Sequence, residues 1–311
     1  MLRTGSLPFP SCSVCLLGFE GIETLFARSP SIRTVLGFVA TTALAFAAGC
    51  GGSSSDGADN PYHLLQAGTV RAATLTDAPP NVFLKDGKFT GFDNDLLVAV
   101  AAKIGLKVEF GGTDFSALLS QVNTHKFDVG SSSITITEAR KKTVDFTNGY
   151  DFGYFGLDVP KGSTITSFDG LTGKRVAVVQ GTVQDDYATK HQLNPVRVPD
   201  YNSAVNQLKA KTADAWIAPA EIGEKLAGDS GGTIVVVQKQ ISPEPTAFAV
   251  AKGNDALRAA LNKGLDEVIA DGTWNKLQAQ YYPGRLIPDT FKPGSGTVAV
   301  PSAAASPGTG G

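Results

Sequence analysis

Two related α/β lobes are predicted for this 311-residue chain by three observations. Short β-branched and apolar runs alternate with stretches whose apolar residues recur at helical spacing, the pattern of parallel strands covered by helices. That alternation runs once from Thr69 to Gly130 and again from Arg175 through Glu221. A local signature also recurs: Gln121 and Asp128 are seven apart, as are Gln207 and Asp214, each pair spanning a helix end, a basic turn and a strand start. Two copies of one supersecondary plan are the simplest account.

In the first copy, Thr69 to Thr74 reads as a strand by its β-branched content, followed by a break at Asp77-Ala78-Pro79-Pro80. Asp86-Gly87-Lys88 reads as a hairpin turn. Asp93 is expected to cap a helix whose Leu96, Leu97, Val100 and Ile104 share one face, with Gly105 ending it. Lys107 to Phe110 is the next strand, Ser116 to Asn123 the next helix, and Phe127 to Gly130 the third strand. In the second copy, Val176 to Val179 is a strand, and Gln180-Gly181-Thr182-Val183-Gln184 opens a helix reaching about Lys190. Val196 to Val198, a helix over Asn202 to Lys209, a strand at Ala215-Trp216-Ile217 and a helix from Glu221 complete it. Thr246 to Ala251 is a late strand, and Asp255 to Tyr282 reads as two helices around Ala270 to Thr273. From Phe291 onward, Gly, Ser, Pro and Ala offer nothing to pack, so 291–311 is expected to be a disordered tail.

Chemistry concentrates at the carboxyl end of the third strand, where open α/β sheets place ligands. Ser131 to Arg140, read as a loop, offers hydroxyls and backbone N–H groups, and Thr137 can cap a short helix carrying Glu138 and Arg140. A guanidinium there could grip a carboxylate through two parallel hydrogen bonds. Equally, Arg140-Lys141-Lys142 could be a solvated basic run beside a polar loop.

The ordered motifs Asp114-Phe115-Ser116, Lys126 to Val129, Ile134 to Lys142 and Val144 to Thr147 resemble the bacterial extracellular solute-binding proteins of family 3, the polar amino acid receptors of ABC importers. The resemblance runs from about Thr69 to Tyr282. It implies a type II periplasmic-binding-protein-like fold: lobe 1 over 61–153 and 249–290, lobe 2 over 154–248, joined by a hinge of two strands near Phe152 to Tyr154 and Phe248 to Val250. It carries over Ser133 (backbone), Thr135 and Arg140 as contacts to a ligand α-carboxylate, and Phe115 as an apolar wall that could equally be core. Gly181, Thr182, Val183 and Gln184 match a loop whose amides face the ligand at a helix N-terminus.

Two departures bear on the ligand. The family's ammonium-binding aspartate is replaced by Pro219, and the aromatic expected just before Pro80 is lost in a two-residue contraction. A buried ammonium needs a counter-charge. Glu221 is the nearest candidate, or it is an ordinary exposed carboxylate at a helix start; Trp216 could be core or pocket wall. The expected role is capture of a polar amino acid or similar small carboxylate by cleft closure, with delivery to an ABC transporter permease. The alternatives are a dehydratase-like cleft enzyme of the same fold, or a binder of a non-amino-acid solute.

Arg28 and Arg33 precede the apolar run Val35 to Ala48, which ends in Ala47-Ala48-Gly49-Cys50. A charged flank, a short apolar core and small residues read as a secretory signal over 1–49, too short for an ordinary membrane span. Gly49-Cys50 resembles a bacterial lipobox, although Ala47 stands where leucine is usual. The resemblance implies lipidation at Cys50, a flexible Gly/Ser tether over 50–60, and an extracytoplasmic protein anchored to the outer face of the cell membrane. Cys12, Cys15 and Cys50 are the only cysteines, so the folded part has no disulfide. Cys12 and Cys15 lack the second pair that a zinc site would need.

With 42% hydrophobic and 18% charged residues and a net charge of −2, the composition is that of an ordinary globular chain with no electrostatic case for nucleic acid. His63, His125 and His191 are scattered, with no metal-ligand spacing and no strand-turn-helix nucleophile elbow to serve, so neither a cofactor nor catalysis is expected. A monomer is expected.

Overall fold

In the computed structural model, which describes residues 60–242, 244–285, 287 and 293–294, the first β/α alternation forms as β1 (Thr69–Thr74), β2 (Asp77–Ala78), β3 (Val82–Lys85), β4 (Lys88–Thr90), α1 (Phe92–Lys103), β5 (Lys107–Gly112), α2 (Phe115–Asn123), β6 (Val129–Thr135) and β7 (Val144–Phe146). The second runs through β8 (Tyr154–Pro160), β9 (Arg175–Val179), α3 (Val183–Lys190), β10 (Asn194–Val198), α4 (Tyr201–Lys209), β11 (Ala215–Pro219), α5 (Ala220–Asp229) and β12 (Ile234–Ile241). The chain then closes with β13 (Thr246–Ala251), α6 (Asp255–Ala270) and α7 (Thr273–Tyr281). It divides into two units, Met1–Gly52 and Ser53–Gly311, and everything below concerns the second. The signal segment, Cys12, Cys15, Cys50, the tether up to residue 59 and nearly all of the tail lie outside the described residues.

Each lobe is built on one five-stranded sheet, ordered β5-β1-β6-β13-β7 in the first and β10-β9-β11-β8-β12 in the second. In each, three consecutive β/α strands are parallel. The fourth strand is antiparallel and is the one adjoining a crossing: β13 beside β6 in the first sheet, β8 beside β11 in the second. The chain crosses between β7 and β8 and returns between β12 and β13, so the return falls just ahead of Phe248 to Val250, which lie inside β13 in the first sheet.

The repeated Gln and Asp positions explain themselves in this frame. Asp128 accepts from the N–H of Arg71 at 2.8 Å and donates its own N–H to the Arg71 carbonyl at 2.8 Å. Asp214 makes the same pair of contacts with Arg175, at 2.9 and 2.8 Å. In both lobes an aspartate opening one strand thus clamps the arginine of its parallel neighbour, and the preceding glutamine's carbonyl takes the N–H groups of the turn: Lys126 on Gln121, Thr212 on Gln207.

Helical spacing puts Phe92, Leu96, Leu97 and Val100 on one face of α1, packed with Leu257, Leu261 and Leu265 of α6 and Trp274 of α7. The helices approach so closely that a Cβ on Gly264 would lie 2.6 Å from the Val100 carbonyl oxygen. In the second lobe, Leu157, Val176, Val178, Ala188 and Ile217 form the matching core.

Two expectations need correction. Asp93 does not cap α1: the N-cap is Gly91, and Asp93 lies fully buried in the first turn, where its N–H bonds the carbonyl of Asn81 at 3.0 Å. Ser131 to Thr135 is not a loop but the second half of β6. That extension is paired by β13, through Thr135 with Thr246 and Ile134 with Ala247. A strand contributed from more than a hundred residues downstream overrides a local sequence of serines that would otherwise favour a loop.

Candidate functional site

The cleft between the lobes is lined from the first by Asn81, Phe115, Ser133, Thr135, Arg140 and, at the start of β13, Thr246, from the second by Thr182, Val183, Gln184, Tyr201, Pro219 and Glu221, and from the crossing segments by Asp151 and Ser242.

Arg140 begins a single 3-10 turn, its N–H bonded to the Thr137 hydroxyl at 3.2 Å. The side chain folds back into the cleft. Nη1 donates to the Thr135 carbonyl at 2.8 Å, Nη2 to the Gly181 carbonyl at 3.1 Å, and the guanidinium lies 5.1 Å from the centre of the Phe115 ring. The basic run is therefore split: Lys141 and Lys142 face solvent, Lys141 pairing with Glu138 at 2.8 Å, while Arg140 is buried. Burial pulls its pKa down to about 10, with Asp186 opposing that shift, so it remains a cation at neutral pH. Among the described residues it makes no ion pair, which leaves a buried charge with hydrogen-bonding capacity for a carboxylate.

Ser133 has a φ of 45°, the left-handed region that non-glycine residues seldom occupy. Its hydroxyl donates to Asp93 at 2.5 Å and accepts from the Asn81 amide at 2.7 Å, and Tyr150 donates to the other Asp93 oxygen at 2.6 Å. The Ser133 side chain is thereby committed to lobe 1, and what it can offer a ligand is its backbone. Burial raises Asp93 to about 7 against these hydrogen bonds.

On lobe 2, Gly181 adopts a φ of +79°, turning the chain from β9 into α3. A Cβ there would sit 3.3 Å from the Ser116 Cα of the opposite lobe. The Gly181 N–H donates to Asp185 at 3.2 Å and its carbonyl accepts from Arg140, so Gly181 joins the site through the arginine and does not itself line the cleft. Thr182 is the N-cap, accepting from the Asp185 N–H at 3.2 Å and donating to the Val179 carbonyl at 2.7 Å. Asp185 has thus taken part of the helix-end capacity expected for a ligand. Thr182, Val183 and Gln184 do line the cleft.

Glu221 lies in the first turn of α5 with its side chain only 11% exposed, so it is not a solvated helix-start carboxylate. Arg285, beyond α7, comes within 3.4 Å of it through Nη1 and pairs through Nη2 with Asp151. Burial raises Glu221 to about 7 while Arg285 pulls the other way. Phe115 serves both readings, packed in the core and facing the cleft. Trp216 is core: fully buried against Tyr201 at 6.2 Å and absent from the lining.

Sequence reasoning missed Asn81, Asp151, Ser242, Thr246 and Arg285. Only Asp151 left a signal, as a charge set between Tyr150 and Phe152 in an apolar crossing. Gly228-Asp229-Ser230-Gly231-Gly232 spells G-x-S-x-G, but it ends α5 rather than opening a helix. Ser230 donates to the Ala227 carbonyl at 2.6 Å and accepts from the Ile234 N–H at 3.1 Å, a capping role. No group of three or more His, Cys, Asp or Glu is arranged for a metal among the described residues.

Residues 70–284 match the family described as bacterial extracellular solute-binding proteins, family 3. The chain is 32% identical over 256 residues to the "Probable amino-acid-binding protein YxeM" of Bacillus subtilis (strain 168), covering 80% of this chain and 94% of that one. Among solved structures, an ancestral arginine-binding protein bound to arginine is 33% identical with a TM-score of 0.66, covering 69% of this chain and 98% of the other. The ancestral amino acid-binding protein AncCDT-1, a precursor of cyclohexadienyl dehydratase, is 32% identical with a TM-score of 0.64, covering 69% and 96%.

Proposed function

Since this chain belongs to the bacterial extracellular solute-binding proteins of family 3, we propose that its cleft captures a polar amino acid by closing on it and delivers it to an ABC importer. One observation carries the reading: a buried guanidinium that makes no ion pair among the described residues, Arg140, faces a cleft that also holds the shielded carboxylates of Glu221 and Asp151. A zwitterion matches that separation of charge, its carboxylate on Arg140 and its ammonium toward the acids. The site residues Phe115, Ser133, Thr135, Arg140, Thr182, Val183, Gln184 and Glu221 would contact it directly, with Gly181 acting through Arg140. A molecule that bridges both lobes binds the closed form better, and that difference in affinity is what moves the hinge.

Lipidation at Cys50 would hold the domain at the outer face of the membrane beside the permease, with 50–60 as its tether. If so, the native protein partitions into detergent and Cys50→Ser does not; wild type recovered free in the medium with an unmodified Cys50 would remove the anchor from the scheme.

Pro219 in the place of the ammonium-binding aspartate favours a second reading, a small acid without an α-ammonium. A thermal-shift screen of the twenty amino acids beside simple carboxylates and sugars separates the two, because a ligand that binds only the folded form raises its melting temperature. Stabilisation by an amino acid supports the first reading, and stabilisation by non-amino acids alone replaces it with the second. Turnover of a stabilising compound, followed by mass spectrometry, would replace both with a cleft enzyme.

A further inference from the structure

We propose that Asp151, on the first crossing segment, is the residue that reads the ligand's ammonium group, with the hydroxyls of Thr246 and Ser242 beside it and Arg285 positioning its carboxylate. This rests on the amino acid reading and names the group that replaces the aspartate missing at Pro219.

Asp151 is fixed in place by its backbone. It forms an isolated β-bridge with Thr246, whose N–H donates to the Asp151 carbonyl at 2.9 Å, and the Trp274 indole holds the neighbouring Tyr150 carbonyl at 2.7 Å. Both side-chain donors that reach its carboxylate land on Oδ1: Gln278 at 3.1 Å, and Arg285. Arg285 cannot easily swing away, because its guanidinium lies against the rings of Phe152 and Tyr282 at 4.3 and 4.2 Å and is 10% exposed.

Charge and hydrogen bonding then point the same way. Asp151 and Glu221 share the guanidinium of Arg285, and neither the buried Asp93 nor the exposed Glu244, which also lines the cleft, adds positive charge. With Asp151 and Glu221 both ionised, their cluster with Arg285 carries one surplus negative charge. Thr246 and Ser242 are more than nine-tenths buried, line the same cleft, and their hydroxyl oxygens have no hydrogen-bond partner among the described residues. Their backbones are adjacent: Thr246 bridges Asp151, and the Ser242 N–H donates to the Gly153 carbonyl at 2.9 Å. Asp151, Thr246 and Ser242 together present three acceptors, the number of N–H groups on an ammonium. Buried hydroxyls left without partners are costly, and such a donor would satisfy both.

The spacing to the carboxylate anchor follows from strand register. Thr135, whose carbonyl holds Arg140, pairs with Thr246, which in turn bridges Asp151. Thr135 and Asp151 thus sit on backbones two ladder steps apart, about 10 Å, and the Arg140 guanidinium is held at the Thr135 end. Two hydrogen bonds of about 3 Å with the charged ends of one amino acid between them span that distance.

The test compares, by calorimetry, the best amino acid from the screen with its 2-hydroxy analogue, in which a hydroxyl replaces the ammonium. Wild type should prefer the amino acid. Asp151→Asn is close to isosteric and should lose at least about tenfold for the amino acid and much less for the analogue; Thr246→Val should do the same more weakly. An unchanged preference in both variants would overturn the assignment while leaving capture of amino acids intact, whereas failure of wild type to bind any amino acid would sink the parent reading instead. If Asp151→Asn does not fold, Thr246→Val alone decides. For Arg285, the readout is the pH below which amino acid binding weakens. Made in a Glu221→Gln background, so that Glu221 no longer titrates, Arg285→Gln should move it upward, because the titratable groups left acting on Asp151 among the described residues, Asp93, Tyr150 and Tyr282, are not cationic. Arg285→Lys should restore it, and an unshifted profile in Arg285→Gln would reject the positioning role.

Discussion

Arg140 of the first lobe donates through Nη2 to the Gly181 carbonyl of the second at 3.1 Å, so the candidate carboxylate anchor is itself a contact between lobes. Removing it should weaken both ligand and closure. Charge-assisted hydrogen bonds contribute about 1.5–3 kcal/mol each, so Arg140→Ala should bind at least about tenfold more weakly while remaining folded. Calorimetry on the screened amino acid checks it, and equal affinities would remove Arg140 from the site.

Gly181→Ala tests closure separately from chemistry. The residue has φ +79° and its Cβ would meet Ser116 at 3.3 Å across the lobes, so an alanine strains the turn and props the lobes apart. Small-angle scattering should show wild type contracting when the amino acid is added. The variant should contract less and bind more weakly.

Glu221 sets a pH dependence. Its folded pKa is raised to about 7 by burial, so it is largely protonated below that value. An ammonium nearby favours the ionised form, so amino acid affinity should rise as pH increases from about 6 to about 8. Glu221→Gln should flatten that rise. For stability the sign is opposite: an acid with a raised folded pKa contributes stability that is full below its unfolded value and is lost as pH climbs through about 7.

Asp158 makes that second sign measurable away from the cleft. It is fully buried in β8, both carboxyl oxygens lack a hydrogen-bond partner among the described residues, and burial holds its pKa well above the ordinary range. The unfolded chain releases this proton near pH 4 and the folded one much later. Asp158→Asn should therefore gain on wild type as pH rises, by at most about 1.4 kcal/mol per pH unit. Denaturation at pH 5 and pH 8 checks it, and a constant difference would contradict it.

Most of the architecture was legible because it is local. Leu96, Leu97 and Val100 mark a helix face, and the paired Asp128 and Asp214 betray the duplicated strand clamp, with no knowledge of the rest of the chain. Arg140 was not settled locally: its own stretch reads equally as a solvated basic run, and the resemblance over the wider chain singled it out. What was not legible depends on segments far apart in sequence meeting in space. β6 runs on to Thr135 because β13 pairs with it. The acidic end of the cleft brings together Asp151, Glu221, Ser242, Thr246 and Arg285, which share no spacing rule. Glu221 stays open in the sequence between a candidate counter-charge and an exposed helix-start carboxylate until Arg285 arrives from beyond α7.

The bridge that Arg285 makes from Asp151 to Glu221 also bears on the speed of exchange. Glu221 rides on the second lobe while Arg285 follows a helix of the first, so opening the cleft must pull apart a shielded ion pair. That cost falls on the step that lets solute out. Residence time would be lengthened more than capture is accelerated, and weakening the pair with Glu221→Gln should shorten dwell on the receptor in stopped-flow traces. Handing cargo to a permease would then require the membrane partner to break this contact, making Arg285 a brake on spontaneous loss between encounters.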